Sequence, residues 1–305
     1  MRPYYYSLNE FLLENYGTKM YKIALNGGMT CPNRDGLIDT RGCVFCSPGG
    51  SGEFAGTALS ITEQINQGMA LVSQKYHGSD FIAYFQAYTN TYAPVSYLRK
   101  VFMEAVNNEN IRILSIATRP DCLDYDVCSL LKEINAIKPV WVELGLQSVN
   151  EQSVMYMRRG YDNDIFLDAV RILRDMRCCE HIIAHMIIGL PHETMEDMLE
   201  TARFIADSQI DGVKLHLLHI LKGCDLAADY ANGMFSTLSL DSYIDIVENI
   251  LKILPYDMVI HRITGDGPKN LLIAPMWSAD KKNVLNTMHR RFKEDNIVQG
   301  ALNQR

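Results

Sequence analysis

Three cysteines, Cys31, Cys43 and Cys46, fall within TCPNRDGLIDTRGCVFCSPGG (residues 30–50), with eleven residues between the first two and two between the last two. Only eight cysteines occur in 305 residues, too few for a disulfide scaffold, so their clustering points to metal or redox chemistry in a reducing compartment. The two-residue gap gives a tight bite used by both zinc and iron–sulfur sites. Asp35-Gly36 is a turn signal that can fold the chain back, so the eleven-residue gap need not mean distance. Structural zinc normally takes four ligands. Here His77, Cys122 and Cys128 stand far along the chain, beyond intervening helices and strands. Three ordinary core cysteines are a further reading, but a loop rich in Gly and Pro has little core to bury them in. Three thiolates suit a 4Fe–4S cluster that keeps one iron open to a small molecule.

The elements that must hold this loop follow from hydropathy. Short apolar runs at 21–25, 81–87, 111–117, 140–146, 181–190 and 212–220 read as buried parallel strands. Helical patterns fill the gaps, one opened by Pro94 and another capped by Asp162 or Asn163. This regular alternation predicts an α/β fold, a partial (β/α)6 TIM-like barrel with a C-terminal α/β extension. The expected division is an N-terminal helical extension at 1–20, opened by the capping box Ser7 to Glu10, a barrel core at 21–235, and a C-terminal extension at 236–305 capping the barrel. In such barrels the loops leaving the C-terminal strand ends carry the chemistry. The longest of these, Asn26 to Leu59, holds all three cysteines.

Hydrophobic residues make up 48% and charged residues 21%, the profile of a compact globular protein. No apolar run reaches the roughly 18 residues of a membrane span, nor is there a secretory leader pattern, so a cytoplasmic protein without a membrane partner is expected. The net charge of −7 speaks against a generally basic nucleic-acid coat. Residues 281–293 run the other way, with Lys281, Lys282, Arg290, Arg291 and Lys293 and no acid.

Taken in order, GMTCPNRDG, GCVFC, YFQAYTNTYAP, ATRPDCL, ELGLQS, IIGLPHET and HRITGDGP resemble the radical S-adenosylmethionine (SAM) superfamily over nearly the whole chain. The wide first cysteine gap is similar to its Elongator-like branch and to a bacterial family of uncharacterised radical SAM proteins within it. The resemblance implies a 4Fe–4S cluster on Cys31, Cys43 and Cys46, with SAM on its open iron. One-electron reduction, from a donor such as flavodoxin or ferredoxin, then yields a 5′-deoxyadenosyl radical that takes a hydrogen atom from substrate.

The same resemblance suggests cofactor contacts. Phe45 would lie beside the cluster or adenine. Gln86, Thr89 and Asn90 stand where the superfamily often carries a Gly-Gly-Glu stretch, from which this chain departs. Gln147 and Arg159 match a Gln and an Arg twelve residues apart in the coproporphyrinogen oxidase branch, where the Arg pairs with the SAM carboxylate; a planar fork suits that task. Glu143 is an acid in an apolar strand, facing either the barrel mouth or an internal base such as Arg119. His185 stands where some relatives place a ribose contact. Arg262 and Asp266 follow the last strand and are placed toward substrate. Cys224 is a candidate resolving thiol or second-cluster ligand, against a plain core role.

For substrate, the Elongator-like resemblance implies tRNA, at the 5-substituent of a wobble uridine, with the basic helix meeting phosphates. A radical enzyme acting on a small metabolite or protein side chain is an alternative. A non-catalytic iron–sulfur or zinc protein in RNA binding or assembly is another.

Overall fold

The structure, a computed structural model, describes residues 4–50, 52–56, 60–265 and 267–303; Asp266 lies outside them. Its strands are β1 (Tyr21–Leu25), β2 (Phe81–Phe85), β3 (Ile111–Thr118), β4 (Val140–Gln147), β5 (His181–Ile188), β6 (Gly212–Leu217), β7 (Ile220–Leu221), β8 (Val259–Arg262) and β9 (Leu272–Ala274). The helices are α1 (Leu8–Tyr16), α2 (Ile61–Val72), α3 (Val95–Val106), α4 (Tyr125–Asn135), α5 (Glu151–Tyr156), α6 (Asn163–Met176), α7 (Met195–Asp207), α8 (Leu226–Ala231), α9 (Leu240–Ile253) and α10 (Lys281–Glu294).

Seven strands form one parallel sheet in the order β1-β2-β3-β4-β5-β6-β8. The six anticipated βα units are present, and the sheet runs one strand further. β8 lies inside the segment expected only to cap the barrel, and its Val259 and Ile260 pair with Gly212 and Val213 of β6. β1 and β8 do not pair, so the half-barrel has an open seam between its two edges.

The strands are apolar because nearly every position is covered on both faces. Outside, Phe85, Phe102, Leu131, Phe166 and Ile205 belong to one continuous core between sheet and helices. Ser7 and Glu10 make both capping-box bonds on α1, and Asp162 caps α6. Leu12 of α1 packs with Met20, Ile82, Ile113, Trp141 and Ile183, closing the N-terminal end of the barrel. The chain ends are tied to the sheet as well: Ile260 N donates to Tyr6 O at 2.8 Å, and Tyr6 N to Gln299 Oε1 at 2.8 Å.

At the opposite end, β7 and β9 form a small antiparallel pair. Their side chains, with Leu226 of α8, Met157 and Val44, make a second apolar cluster. Val44 lies between two of the three clustered cysteines, so this cluster docks their loop onto the strand ends.

Candidate active site

The cysteine loop is shaped by turns. Arg34 N and Asp35 N both donate to Cys31 O, and Gly36 takes a left-handed φ of 96°. Ile38 N then returns to Pro32 O, and Gly42 N to Asn33 O at 2.7 Å. The Asp-Gly signal thus folds the chain back, as a series of turns rather than a paired hairpin. Fully buried Asn33 joins the two arms: its Nδ2 donates to Cys43 Sγ at 3.3 Å and to Arg158 O at 2.7 Å. Past Cys46 the loop leans on Tyr88, whose hydroxyl donates to Pro48 O at 2.8 Å and whose backbone N donates to Gly50 O. Gly50 has φ 59°, and a Cβ there would lie 2.3 Å from the Tyr88 ring, so glycine is required.

Beneath this loop is a cavity of about 270 Å³ at the C-terminal ends of the strands. Cys31, Cys43 and Cys46 line it, and so do Phe45, Gln86, Thr89, Arg119, Glu143, Gln147, Arg159 and His185. That side chains of β2, β4, β5, β6 and β8 meet around one space shows how far the sheet curls. Asn90 stands back from the cavity, its amide donating to Phe85 O and Ala117 O. The Cys43 thiol is lowered to about 7 by a hydrogen bond with Cys46; the Asn33 amide and the charges of Arg119 and Arg158 help, against burial. That favours the thiolate form that binds metal.

The floor is a charge cluster on Glu143, which is fully buried. Its Oε1 accepts from Lys22 Nζ at 2.8 Å and Ser115 Oγ at 2.6 Å. Its Oε2 meets His185 Nε2 at 2.7 Å and Lys214 Nζ. Burial pushes this carboxyl up, but Lys214 and Lys22 prevail and hold it well below the usual range. Of the two dispositions expected for Glu143, the internal base is real but is not Arg119: two lysines from β1 and β6 supply it. His185 is lowered to about 4, first by burial and then by Lys214, so it is a neutral imidazole at pH 7. His216, with its ring centroid 5.0 Å from that of His185, is likewise held well below the ordinary value by burial. Its buried Nε2 has no hydrogen-bond partner among the described residues and belongs to a side chain on the cavity wall.

The two arginines differ from expectation. Arg159 is 2% exposed, and four of its five N–H groups go to Tyr161 O, Leu146 O, Ser148 O and Asn163 Oδ1. A guanidinium so engaged has at most one donor left, so bidentate pairing with a carboxylate is not available to it. Arg119 forks onto Asp121 at 2.9 and 2.7 Å and donates to Arg159 O at 2.9 Å. Both guanidiniums lie against the Tyr161 ring, at 4.7 and 4.6 Å from its centroid. Together they brace the loop after β4, whose Arg158 carbonyl holds Asn33. Gln147 ends β4 at a break in register, with an uncommon φ of 63° for a non-glycine residue, and presents its amide to the cavity.

Cys224 is buried, with Sγ 3.0 Å from Leu221 O, inside the second apolar cluster and off the cavity wall. It is a core residue here. The five-cation helix is divided too. Arg291 turns inward to Asp245 at 2.7 Å, with Asp295 at 3.3 Å and Glu248 at 3.9 Å, so it is committed to the protein body rather than open to phosphates. Lys281 and Lys282 face a cleft beside the active cavity. Tyr84, Lys22, Lys214 and His216 are site residues that the sequence reading passes over; the signal for the last two is polar residues alternating within GVKLHL. Among the described residues no helix is long and apolar enough to cross a membrane.

Comparison with known proteins places this arrangement. Residues 40–205 match the radical SAM superfamily and residues 210–294 the radical SAM C-terminal domain. The uncharacterized protein YtqA of Bacillus subtilis is 43% identical over 304 residues, covering 99% of this chain and 93% of that protein. The tRNA uridine(34) acetyltransferase of Methanocaldococcus infernus is 25% identical over 164 residues, 52% of this chain but 30% of that protein. The solved archaeal Elp3 of the same organism shares the fold, with a TM-score of 0.66 at 16% identity over 92% of this chain and 64% of that one. The chain belongs to the radical SAM superfamily and is a radical SAM enzyme, with a 4Fe–4S cluster and S-adenosylmethionine as its cofactors.

Proposed function

We propose that Cys31, Cys43 and Cys46 carry the cluster, that SAM occupies the cavity beneath them, and that the substrate is a wobble uridine of tRNA. The observation that carries this is the convergence of the three thiols, the Gln147 amide and the unpaired His216 Nε2 on one 270 Å³ space. Three soft thiolates suit iron–sulfur ligation. An orphaned imidazole nitrogen suits a hydroxyl or amine of a bound small molecule, since a buried polar atom left unpaired is costly.

When bound, the cofactor pair supplies a 5′-deoxyadenosyl radical that abstracts hydrogen from substrate. The protein's own residues position and shield. Asn33 and Tyr88 fix the cysteine loop, Arg159 and Arg119 brace the loop against which it packs, and Glu143 orients His185, which burial keeps neutral. The tRNA reading draws on the relative named a tRNA uridine(34) acetyltransferase. The match spans less than a third of that protein, so acetyl transfer is not carried over with it.

Two measurements test this. Anaerobically reconstituted protein with SAM and reductant is expected to release 5′-deoxyadenosine, and C43A to lose both iron and that product; full activity in C43A would refute the ligand set. Nucleosides of tRNA from cells with and without the gene are expected to differ at the wobble uridine, and identical profiles would overturn the substrate.

A further inference from the structure

A second cavity, about 620 Å³, adjoins the active one and shares Phe54, Tyr84, Gln86 and Arg262 with it. It opens at the seam where β1 and β8 fail to pair. Its lining is basic: Lys22, Lys214, Arg262, Lys269, Lys281 and Lys282. Lys22 and Lys214 both pair with Glu143. Asp280 also lines the cleft, but its carboxylate is turned to cap α10, accepting from Asn283 N at 3.1 Å. Arg262, Lys269 and Lys282, from three segments, line the opening as well, on a protein whose net charge is −7. Arg262 stands where the two cavities meet, half-buried, and makes no hydrogen bond or ion pair with any described residue. Lys281 and Lys282 begin α10 with no acid in its first turn. Positive charge at a helix N-terminus opposes the macrodipole, so these lysines are placed against the helix's own stability.

We propose that this cleft receives the phosphodiester backbone of an RNA strand next to the target nucleotide, and that the open seam admits the base sideways into the active cavity. The proposal rests on the tRNA reading above and adds the residues that recognise the strand. A single carboxylate or phosphate is satisfied by one guanidinium fork. A row of cations from β8, the 267–269 turn and the start of α10, along a cleft beside the active cavity, matches consecutive phosphates.

The test uses the reconstituted holoenzyme and fluorescently labelled total tRNA from cells lacking the gene, with binding followed by anisotropy across a salt series. K269A/K282A is compared with K100A/K132A, which removes the same charge from exposed positions on α3 and α4. If each lysine releases about 0.7 counterions, losing two weakens binding by about 1.4 log units at 0.1 M salt, roughly 25-fold, and lowers the salt slope by about 1.4. The α3/α4 pair is expected to shift binding less than twofold. Equal effects of the two variants, or none from K269A/K282A while the wild type binds with a normal salt slope, would overturn the cleft and leave the tRNA reading intact. Failure of the wild-type enzyme to bind tRNA at all would overturn both.

Discussion

Glu143→Gln isolates the role of the buried charge cluster. The amide keeps the shape of the side chain but removes the anion on which Lys22, Lys214 and His185 converge. Lys22 is 19% exposed and can recover water; Lys214, at 3%, cannot. Breaking a buried pair by removing one partner costs about 3–5 kcal/mol, because a charge is left uncompensated. An unfolding entropy of about 2.1 cal/mol/K per residue over 305 residues is roughly 0.64 kcal/mol/K. The melting temperature of the cluster-free protein is therefore expected to fall by about 5–8 °C at pH 7.5, measured by circular dichroism. The sign of the pH dependence follows from a carboxyl whose folded value is depressed below 4.5. Its stabilisation is complete above the unfolded value and lost as pH falls through the folded one, so the gap between variant and wild type should be flat from pH 6 to 8 and close under acid. E143Q/K214M removes the stranded ammonium as well and is expected to recover more than half of the loss. A single variant within 2 °C of wild type, or a double variant no better than the single, would refute the uncompensated-charge account.

The remaining expectations are narrower. Gly50→Ala forces a left-handed φ on a residue with a Cβ and drives it into the Tyr88 ring; iron per chain should fall several-fold while the cluster-free barrel melts within about 2 °C of wild type, and full iron content would contradict the clamp. His216→Leu removes the unpaired Nε2; calorimetric SAM affinity should drop about tenfold, near 1.4 kcal/mol, with iron content unchanged, and equal affinity would show that the nitrogen meets no ligand. His181 and His185 both have folded values near 4 against an ordinary 6.5. The unfolded chain takes up their protons first as pH falls, so stability is full above 6.5 and lost toward 4. At pH 5 that is about 2 kcal/mol each, and the cluster-free protein should melt about 6 °C lower than at pH 7. A flat profile across that window would mean that these imidazoles are hydrated.

Much of this architecture is legible in one sequence because a parallel sheet covered on both sides writes its strands as apolar runs, and because Pro32, Pro48 and several glycines break any helical pattern across residues 26–59. The segment at 258–264 reads as strand-like, but its place in the main sheet as β8 does not, because VIHR is short and half polar and joins the sheet through pairing with β6 and with the N-terminal segment, contacts remote in sequence. The polar floor escapes for a related reason. Glu143, Lys214 and His216 each read as isolated exceptions in different strands, and only the curl of the sheet brings them together. Yet their spacing carries a signal. In strands buried on both faces, a polar residue repeated at period two, as Lys214 and His216 are, marks the face turned to the barrel interior.

The arginines show where residue type stops being informative. Arg159 has the right chemistry and separation to hold a carboxylate, and it does line the cavity. What removes it from that role is the geometry of its own loop, where α5 ends in a tight turn through Arg158 and Gly160, both left-handed. The carbonyls of Leu146, Ser148 and Tyr161 converge on the Arg159 guanidinium, and buried carbonyls must be paired. A five-donor guanidinium is the side chain that can satisfy three of them at once. The same turn aims the Arg158 carbonyl at Asn33, and Asn33 in turn holds Cys43. Arg159 therefore acts on the cysteine loop through the backbone it organises, and removing it should be felt first as lost iron rather than as weakened SAM binding.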